Sequence, residues 1–141
     1  MALPVDHQIK FAVVGCGHIG KRHAEMIARH PECELVALCD VRPAEETGVG
    51  AMGVPVFPDM DAMLAAVPGI DVVNICTPNG LHAPQSIKAL EARKHVVCEK
   101  PMALTKASCE AVLYKALQVH RTVFGVMQNR YSPPSQWIKG V

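Results

Sequence analysis

The chain has 141 residues, half of them apolar and 19% charged, with a formal net charge of +1. That length suits one domain, burying roughly 70% of its unfolded-chain surface, and the near-neutral charge gives no support to a nucleic-acid or membrane-surface role. No apolar run reaches about 18 residues, and the first ten lack the long apolar core of a signal peptide, so the expected location is cytoplasmic.

The first apolar, β-branched run, residues 9–14, reads as a strand. Residues 18–29 have helical spacing that puts Ile19, His23, Met26 and Ile27 on one side, and Pro31 stops the helix. A second strand is predicted at 35–39. The segment 41–53 is the least regular, because Gly48, Gly50 and Gly53 argue against a long helix. A third strand at 54–57 precedes a short helix at 60–66, with Asp59 as its N-cap. The fourth strand, 71–76, leads to a helix over 83–93 with Ala83, Ile87 and Leu90 in its stripe and Pro84 in its first turn. A fifth strand at 95–98 is followed by a helix at 105–119, capped by Thr105 and aligning Cys109, Val112, Leu113 and Leu117. The sixth strand is predicted at 122–127. Strands alternating with helices imply βαβ units. The expected fold class is α/β, a doubly wound parallel sheet of about six strands with right-handed crossovers and a ligand crevice at the strand carboxyl ends.

Six cysteines (Cys16, Cys33, Cys39, Cys76, Cys98 and Cys109) are dispersed with no C-x-x-C pair, and most lie in apolar runs. Such cysteines act as small buried hydrophobes, so free thiols are expected. No metal site is expected either: the histidines are scattered, and His18 and His23, five apart, miss the i, i+4 spacing of ligands on one helical face.

Between the first strand and first helix stand Gly15, Gly17 and Gly20, in the pattern G-x-G-x-x-G. The first glycine permits a tight turn, the second lets a pyrophosphate approach the backbone, and the third lets helix and strand pack closely. The helix N-terminus around His18 and Ile19 then offers unpaired N–H groups to the phosphates. Asp40 ends the second strand 20 residues after Gly20, where an acid can hydrogen-bond the adenine-ribose hydroxyls. Its carboxylate would repel a 2′-phosphate, which favours NAD over NADP. Arg42 pulls the other way, because a guanidinium can bind that phosphate bidentately. Two more stretches reach the same edge. "TPNGLH", residues 77–82, makes a turn with Asn79 and His82 available, as ligand contacts or as turn-forming and capping groups. "CEKP", residues 98–101, brings out Glu99 and Lys100 side by side. A lysine there can bind a ribose hydroxyl or a substrate oxygen, or stay a solvated surface charge.

G-C-G-H-I-G, Asp40, T-P-N-G-L-H and E-K-P, in that order and spacing, resemble the N-terminal domain of the Gfo/Idh/MocA oxidoreductases over nearly the whole chain. The resemblance implies a Rossmann fold, a nicotinamide cofactor, and hydride transfer at a hydroxyl carbon of a sugar or cyclitol. It implies cofactor contacts at Gly15, Gly17, Gly20, Asp40, Thr77, Pro78, Asn79, His82 and Glu99, beside those read at His18, Ile19 and Arg42. It makes Lys100 the lysine near nicotinamide and substrate, and so the catalytic candidate, and marks Pro101 as a candidate for a cis bond. "QNRYSPP", residues 128–134, is similar to the WlbA-type branch, which oxidises the 3-hydroxyl of nucleotide sugars such as UDP-N-acetylglucosaminuronic acid. In that branch Gln128 would approach the cofactor, and Asn129 and Arg130 the substrate. A polar interdomain connection is the other reading of those three.

The family has a second domain that binds substrate and supplies an Asp/His pair for proton transfer. The resemblance therefore implies a dinucleotide-binding domain at 1–128, and at 129–141 the start of a connection to a substrate domain absent from this chain. The chain is expected to be inactive alone, and the full-length protein to be a homo-oligomer with no nucleic-acid or membrane partner. Two alternatives stay open: the cofactor domain of an NAD-dependent glycosidase, and a non-catalytic NAD-binding sensor.

Overall fold

The computed structural model of the chain describes residues 7–140; the outermost parts of the predicted 1–128 and 129–141 segments, residues 1–6 and 141, lie outside the described residues. Six strands, β1 (Ile9–Val14), β2 (Cys33–Cys39), β3 (Val56–Phe57), β4 (Val72–Ile75), β5 (His95–Cys98) and β6 (Val123–Gly125), form one sheet in the order β3-β2-β1-β4-β5-β6. Every pairing is parallel, so the doubly wound order expected from the alternation is present. The helices are α1 (His18–Arg29), α2 (Ala44–Thr47), α3 (Met60–Ala66), α4 (His82–Glu91), α5 (Lys106–Val119) and α6 (Pro133–Gly140).

The central strands carry apolar side chains on both faces because helices cover both. Val13 and Leu38 pack with Ala24 and Ile27 of α1 on one side, whereas Ala12, Val73 and Ile75 pack with α3, α4 and α5 on the other. The registers Val13↔Leu38, Val13↔Asn74, Asn74↔Val97 and Val97↔Phe124 line up one row across the α1 face. Cover thins along that row. Leu38 and Val13 are fully buried, Val97 is half-buried, and Phe124 is 55% exposed.

Local signals account for most boundaries. The Asp59 carboxylate accepts from the Ala62 N–H at 2.7 Å and caps α3, and Thr105 accepts from the Ser108 N–H at 3.0 Å and caps α5. The irregular segment 41–53 resolves into α2 and a 3-10 turn (Val49–Met52), each closed by a left-handed glycine, Gly48 with φ 75° and Gly53 with φ 72°. The predicted strand at 54–57 shortens to Val56–Phe57 at the sheet edge, where Pro55 has no N–H to give a ladder. The predicted strand at 122–127 shortens likewise to Val123–Gly125, and the helix predicted at 83–93 runs His82–Glu91.

Two predicted helix faces are corrected. In α1 the buried residues are Gly20, Ala24 and Ile27, while Met26 is 59% exposed, because small residues let the helix sit close to the sheet. In α5 the buried pair is Val112 and Ala116, and Leu113 and Leu117 face outward. Apolarity alone overstated that stripe.

Deleting buried methyls costs the transfer free energy plus a cavity, about 2–5 kcal/mol for Leu→Ala. Leu38→Ala, at the fully buried end of the row, should therefore lower the urea midpoint strongly. Leu117→Ala, at a site 75% exposed, should change stability by under about 0.5 kcal/mol. Equilibrium unfolding of both variants checks this.

Candidate functional site

The carboxyl ends of β1, β2, β4 and β5 open on one edge, and three glycines decide its shape. Gly15 has φ 92°, and a Cβ there would lie 2.6 Å from the Cys76 carbonyl oxygen. At Gly20 a Cβ would lie 1.7 Å from the Gly15 carbonyl oxygen. Both positions are closed by backbone. Gly17 is different, since a Cβ there would meet nothing within 4 Å among the described residues, and its φ of −76° suits any residue. Neither packing nor backbone conformation requires a glycine at 17; a side chain there would project into open space.

That space faces the start of α1. Gly17 is the N-cap with no side-chain cap, and the first turn carries no acidic residue. The first-turn N–H groups and the positive end of the helix dipole are thus presented to whatever occupies the space, an arrangement that fits an anion. His18 and Ile19 contribute from exposed positions in this turn, and Gly20 lies buried beneath it. A cleft of about 690 Å³ continues from Gly15 and Gly17 past Asp40, Arg42, Thr77 and Pro78. A volume of that size, mostly apolar with a few convergent polar groups, suits a dinucleotide half better than an ion.

Asp40 is the polar focus of the cleft. Its side chain is 7% exposed. Oδ2 accepts from the Cys16 N–H at 2.8 Å and from Arg42 Nη2 at 3.1 Å; Oδ1 accepts from the Arg42 N–H at 2.8 Å and from Arg42 Nε at 3.1 Å. Burial acts to raise the carboxyl, but these hydrogen bonds, those from Arg42 above all, together with the Arg42 charge hold it below the usual range. Burial, and then the Asp40 charge, push the neighbouring Cys16 thiol up to about 11, and burial pushes Cys39 to about 12. These thiols are inert neighbours of the cleft, not nucleophiles. All six cysteines are free.

The later motifs divide. Asn79 is exposed in a 3-10 turn (Asn79–Leu81), with Thr77 and Pro78 on the cleft wall. His82 is 1% exposed and turned inward: Nε2 lies 2.7 Å from the Thr77 carbonyl oxygen and Nδ1 2.6 Å from that of Pro101. Its ring stands between the two loops and does not line the cleft. Glu99 is also buried, with Oε1 2.8 Å from His23 Nε2 and Oε2 accepting from the Lys100 N–H at 3.3 Å. Lys100 is exposed, and its bond to Pro101 is cis. Gln128 and Arg130 are exposed in the 3-10 turn Gln128–Tyr131; Asn129 shares that turn, and its side chain lies outside the described residues. Among the described residues no group of histidine, cysteine and carboxylate side chains could hold a metal, and no helix is long and apolar enough to cross a membrane.

Sequence reasoning missed several participants. Asp59, Met60, Gln85 and Lys88 also line the cleft, and Thr77 Oγ1 donates to Gln85 Oε1. The signal was available: α3 begins where β3 ends, so its cap necessarily reaches the same edge. His23 and Asn74 carried no such signal, since they join Glu99 only through the fold.

Residues 9–126 match the Gfo/Idh/MocA oxidoreductase family, described as having an NAD-binding Rossmann fold. Among curated relatives, D-glucoside 3-dehydrogenase of Escherichia coli is 31% identical over 134 residues, covering 93% of this chain and 38% of the relative. Inositol 2-dehydrogenase of Rhizobium meliloti is 33% identical, covering 89% of this chain and 38% of the relative. The WlbA dehydrogenase of Bordetella pertussis, solved with NADH and UDP-GlcNAcA, superposes with a TM-score of 0.88 at 36% identity, over 94% of this chain and 42% of that one. The chain thus spans about two fifths of the length of these relatives.

Two tests follow from the geometry. Gly17→Val should melt close to the unaltered chain yet lose NADH binding, whereas Gly20→Ala should lose stability by about 1–3 kcal/mol or more, because backbone must move. Thermal melts beside NADH titrations separate the two. Asp40 gives a pH signature: folding lowers its pKa below 3.8, so its contribution is present above that value and is lost as pH falls through the lower folded value. The difference in Tm between the chain and Asp40→Asn should hold steady from about pH 7 to 5 and close below about pH 4.

Proposed function

This chain belongs to the Gfo/Idh/MocA oxidoreductases, and from that membership we propose that it is the nicotinamide-binding part of a dehydrogenase acting on a hydroxyl carbon of a sugar or nucleotide sugar. The 3-hydroxyl of a UDP-sugar is the substrate position we assign. The observation that carries the cofactor reading is Gly17: an open, unstrained glycine before an uncapped helix, on a cleft that ends at a buried carboxylate. The WlbA likeness supports the UDP-sugar assignment, and the D-glucoside enzyme shares the 3-position.

In this reading the N–H groups of the first turn of α1 hold the pyrophosphate, and Asp40 takes the adenine-ribose hydroxyls. All four acceptor positions of Asp40 are in use, so the Arg42 fork must swing aside; at 48% side-chain exposure water takes over its contacts at small cost. Bound NAD supplies the hydride acceptor. Lys100, exposed at the end of β5, holds or moves the proton of the reacting hydroxyl, with Gln128 toward the cofactor and Asn129 and Arg130 toward the substrate. Residues 1–128 make the cofactor domain and 129–141 lead out of it. We place the protein in the cytoplasm as a homo-oligomer without nucleic-acid or membrane partners. Six free thiols, a net charge of +1 and exposed apolar residues such as Phe124 and Trp137 support that placement.

Fluorescence titration should show NADH binding tighter than NADPH by about tenfold or more, worth about 1.4 kcal/mol. Equal or tighter NADPH binding would overturn the cofactor assignment. Incubated with NAD and a panel of free sugars, inositols and UDP-sugars, the chain should bind cofactor without steady turnover. The cleft walls enclose the Asp40 side and leave Lys100 in solvent, so among the described residues no wall beside it holds a substrate carbon in place. NADH formation at roughly 1 per second or more would show that the machinery is already present, and the sugar oxidised would name the substrate.

A further inference from the structure

The peptide that carries Lys100 is the end point of a short file of buried hydrogen bonds. Asn74 Nδ2, on β4, donates to His23 Nδ1 at 2.9 Å. With Nδ1 occupied as an acceptor, the ring hydrogen of neutral His23 sits on Nε2, which donates to Glu99 Oε1 at 2.8 Å. Glu99 Oε2 then accepts the Lys100 N–H at 3.3 Å. Little water reaches the file, since the side chains of His23 and Glu99 are 14% and 10% exposed and Asn74 is 5% exposed. None of the three lines the cleft.

We propose that His23 is a positioning residue for Lys100, acting through Glu99, with Asn74 setting the tautomer that makes this possible. The inference rests on the reading of Lys100 as the group at the reacting hydroxyl. Ordinary packing does not explain the arrangement. Asn74 shares its row with Val13 and Val97, and its Oδ1 is buried with no hydrogen-bond partner among the described residues. A valine would fill that place without an orphaned acceptor, so the amide is kept for what Nδ2 does. His23 likewise stands on α1 beside Ala24 and Ile27, which are both buried and apolar. The file fixes one oxygen of Glu99 from inside the domain and leaves the other for the next peptide. One residue on, the Pro101 carbonyl oxygen lies 2.6 Å from Nδ1 of the buried His82, so the backbone around Lys100 meets an internal side chain both before and after it. A long, flexible lysine gains accuracy from a fixed root.

The test uses the ring's geometry. A glutamine amide reaches about as far as Nε2, and an asparagine amide only as far as Nδ1. His23→Gln should therefore keep the donor to Glu99, whereas His23→Asn and His23→Leu should lose it. Hydrogen exchange of the Lys100 amide, read by NMR, should stay within about twofold in His23→Gln and speed up by about tenfold or more in the other two, with amides of β1 unchanged. Nitrogen shifts of His23 should show a bare Nδ1 and a protonated Nε2. Should His23→Leu fail to fold, His23→Asn and Glu99→Gln decide, the latter by setting a donor against the Lys100 N–H or the His23 ring. Unchanged Lys100 exchange in those variants, or equal loss in His23→Gln, would overturn the tether. NADH titration of the unaltered chain is scored separately: failure there removes the reading of the site, not the measured tether.

Discussion

The seat of α1 on the sheet is the constraint from which the rest of the edge is built. Backbone meets backbone there, because Gly15 leaves no room for a side chain against Cys76 and Gly20 leaves none against Gly15. The contact pulls the helix against β1 and β2 and fixes where its first turn points. Once that turn is placed, its N–H groups face the open ground before Gly17, an arrangement that fits an anion. Three residues beyond Gly20, the same helix puts His23 over Asn74 and the end of β5. One packing constraint therefore locates both the Gly17 side of the cleft and the root of Lys100.

Two carboxylates leave the sheet at this edge, and both are nearly buried. Each oxygen of both accepts at least one N–H, as low dielectric demands, two on each oxygen of Asp40 and one on each of Glu99. Their donors differ in what they permit. Half of the contacts on Asp40 come from the exposed Arg42 fork, whose departure costs little once ribose hydroxyls replace it. Those on Glu99 come from an internal imidazole and the next peptide, which cannot be exchanged without opening the domain. Asp40 is thus suited to meeting a ligand and Glu99 to holding a loop. The same residue type divides into two roles by the mobility of its partners.

That division marks how far the chain was legible before folding. The glycine pattern, Asp40 and the alternation of strands and helices are local or evenly spaced, and the cofactor reading followed from them. Caps at Asp59 and Thr105 were equally local. Glu99 and His82 were legible as positions but not as orientations. The family resemblance suggested ligand contact for both, and the Thr77 turn left His82 open between contact and capping, whereas both side chains turn inward to buried polar partners. His23 lies 51 residues from Asn74 and 76 from Glu99, so no periodicity links the three. Leu113 and Leu117 misled for the opposite reason, since an apolar residue on a surface helix needs no buried partner.

The row from Leu38 to Phe124 shows why the polar file lies where it does. α1 covers the sheet over β2 and β1, and its cover ends near β4. At Leu38 and Val13 the interior is dry and a polar group would be stranded; at Phe124 the row is open to solvent. Asn74 occupies the step between. It is buried deeply enough for its hydrogen bonds to be strong, and close enough to the helix margin for His23 to bridge toward β5. Displaced one strand toward β1, the file would meet only apolar core and could not reach Glu99. Displaced one strand toward β6, it would compete with water and lose its hold on Lys100. The margin of a single helix is what lets a sheet of apolar strands carry an ordered polar contact to the edge where Lys100 stands.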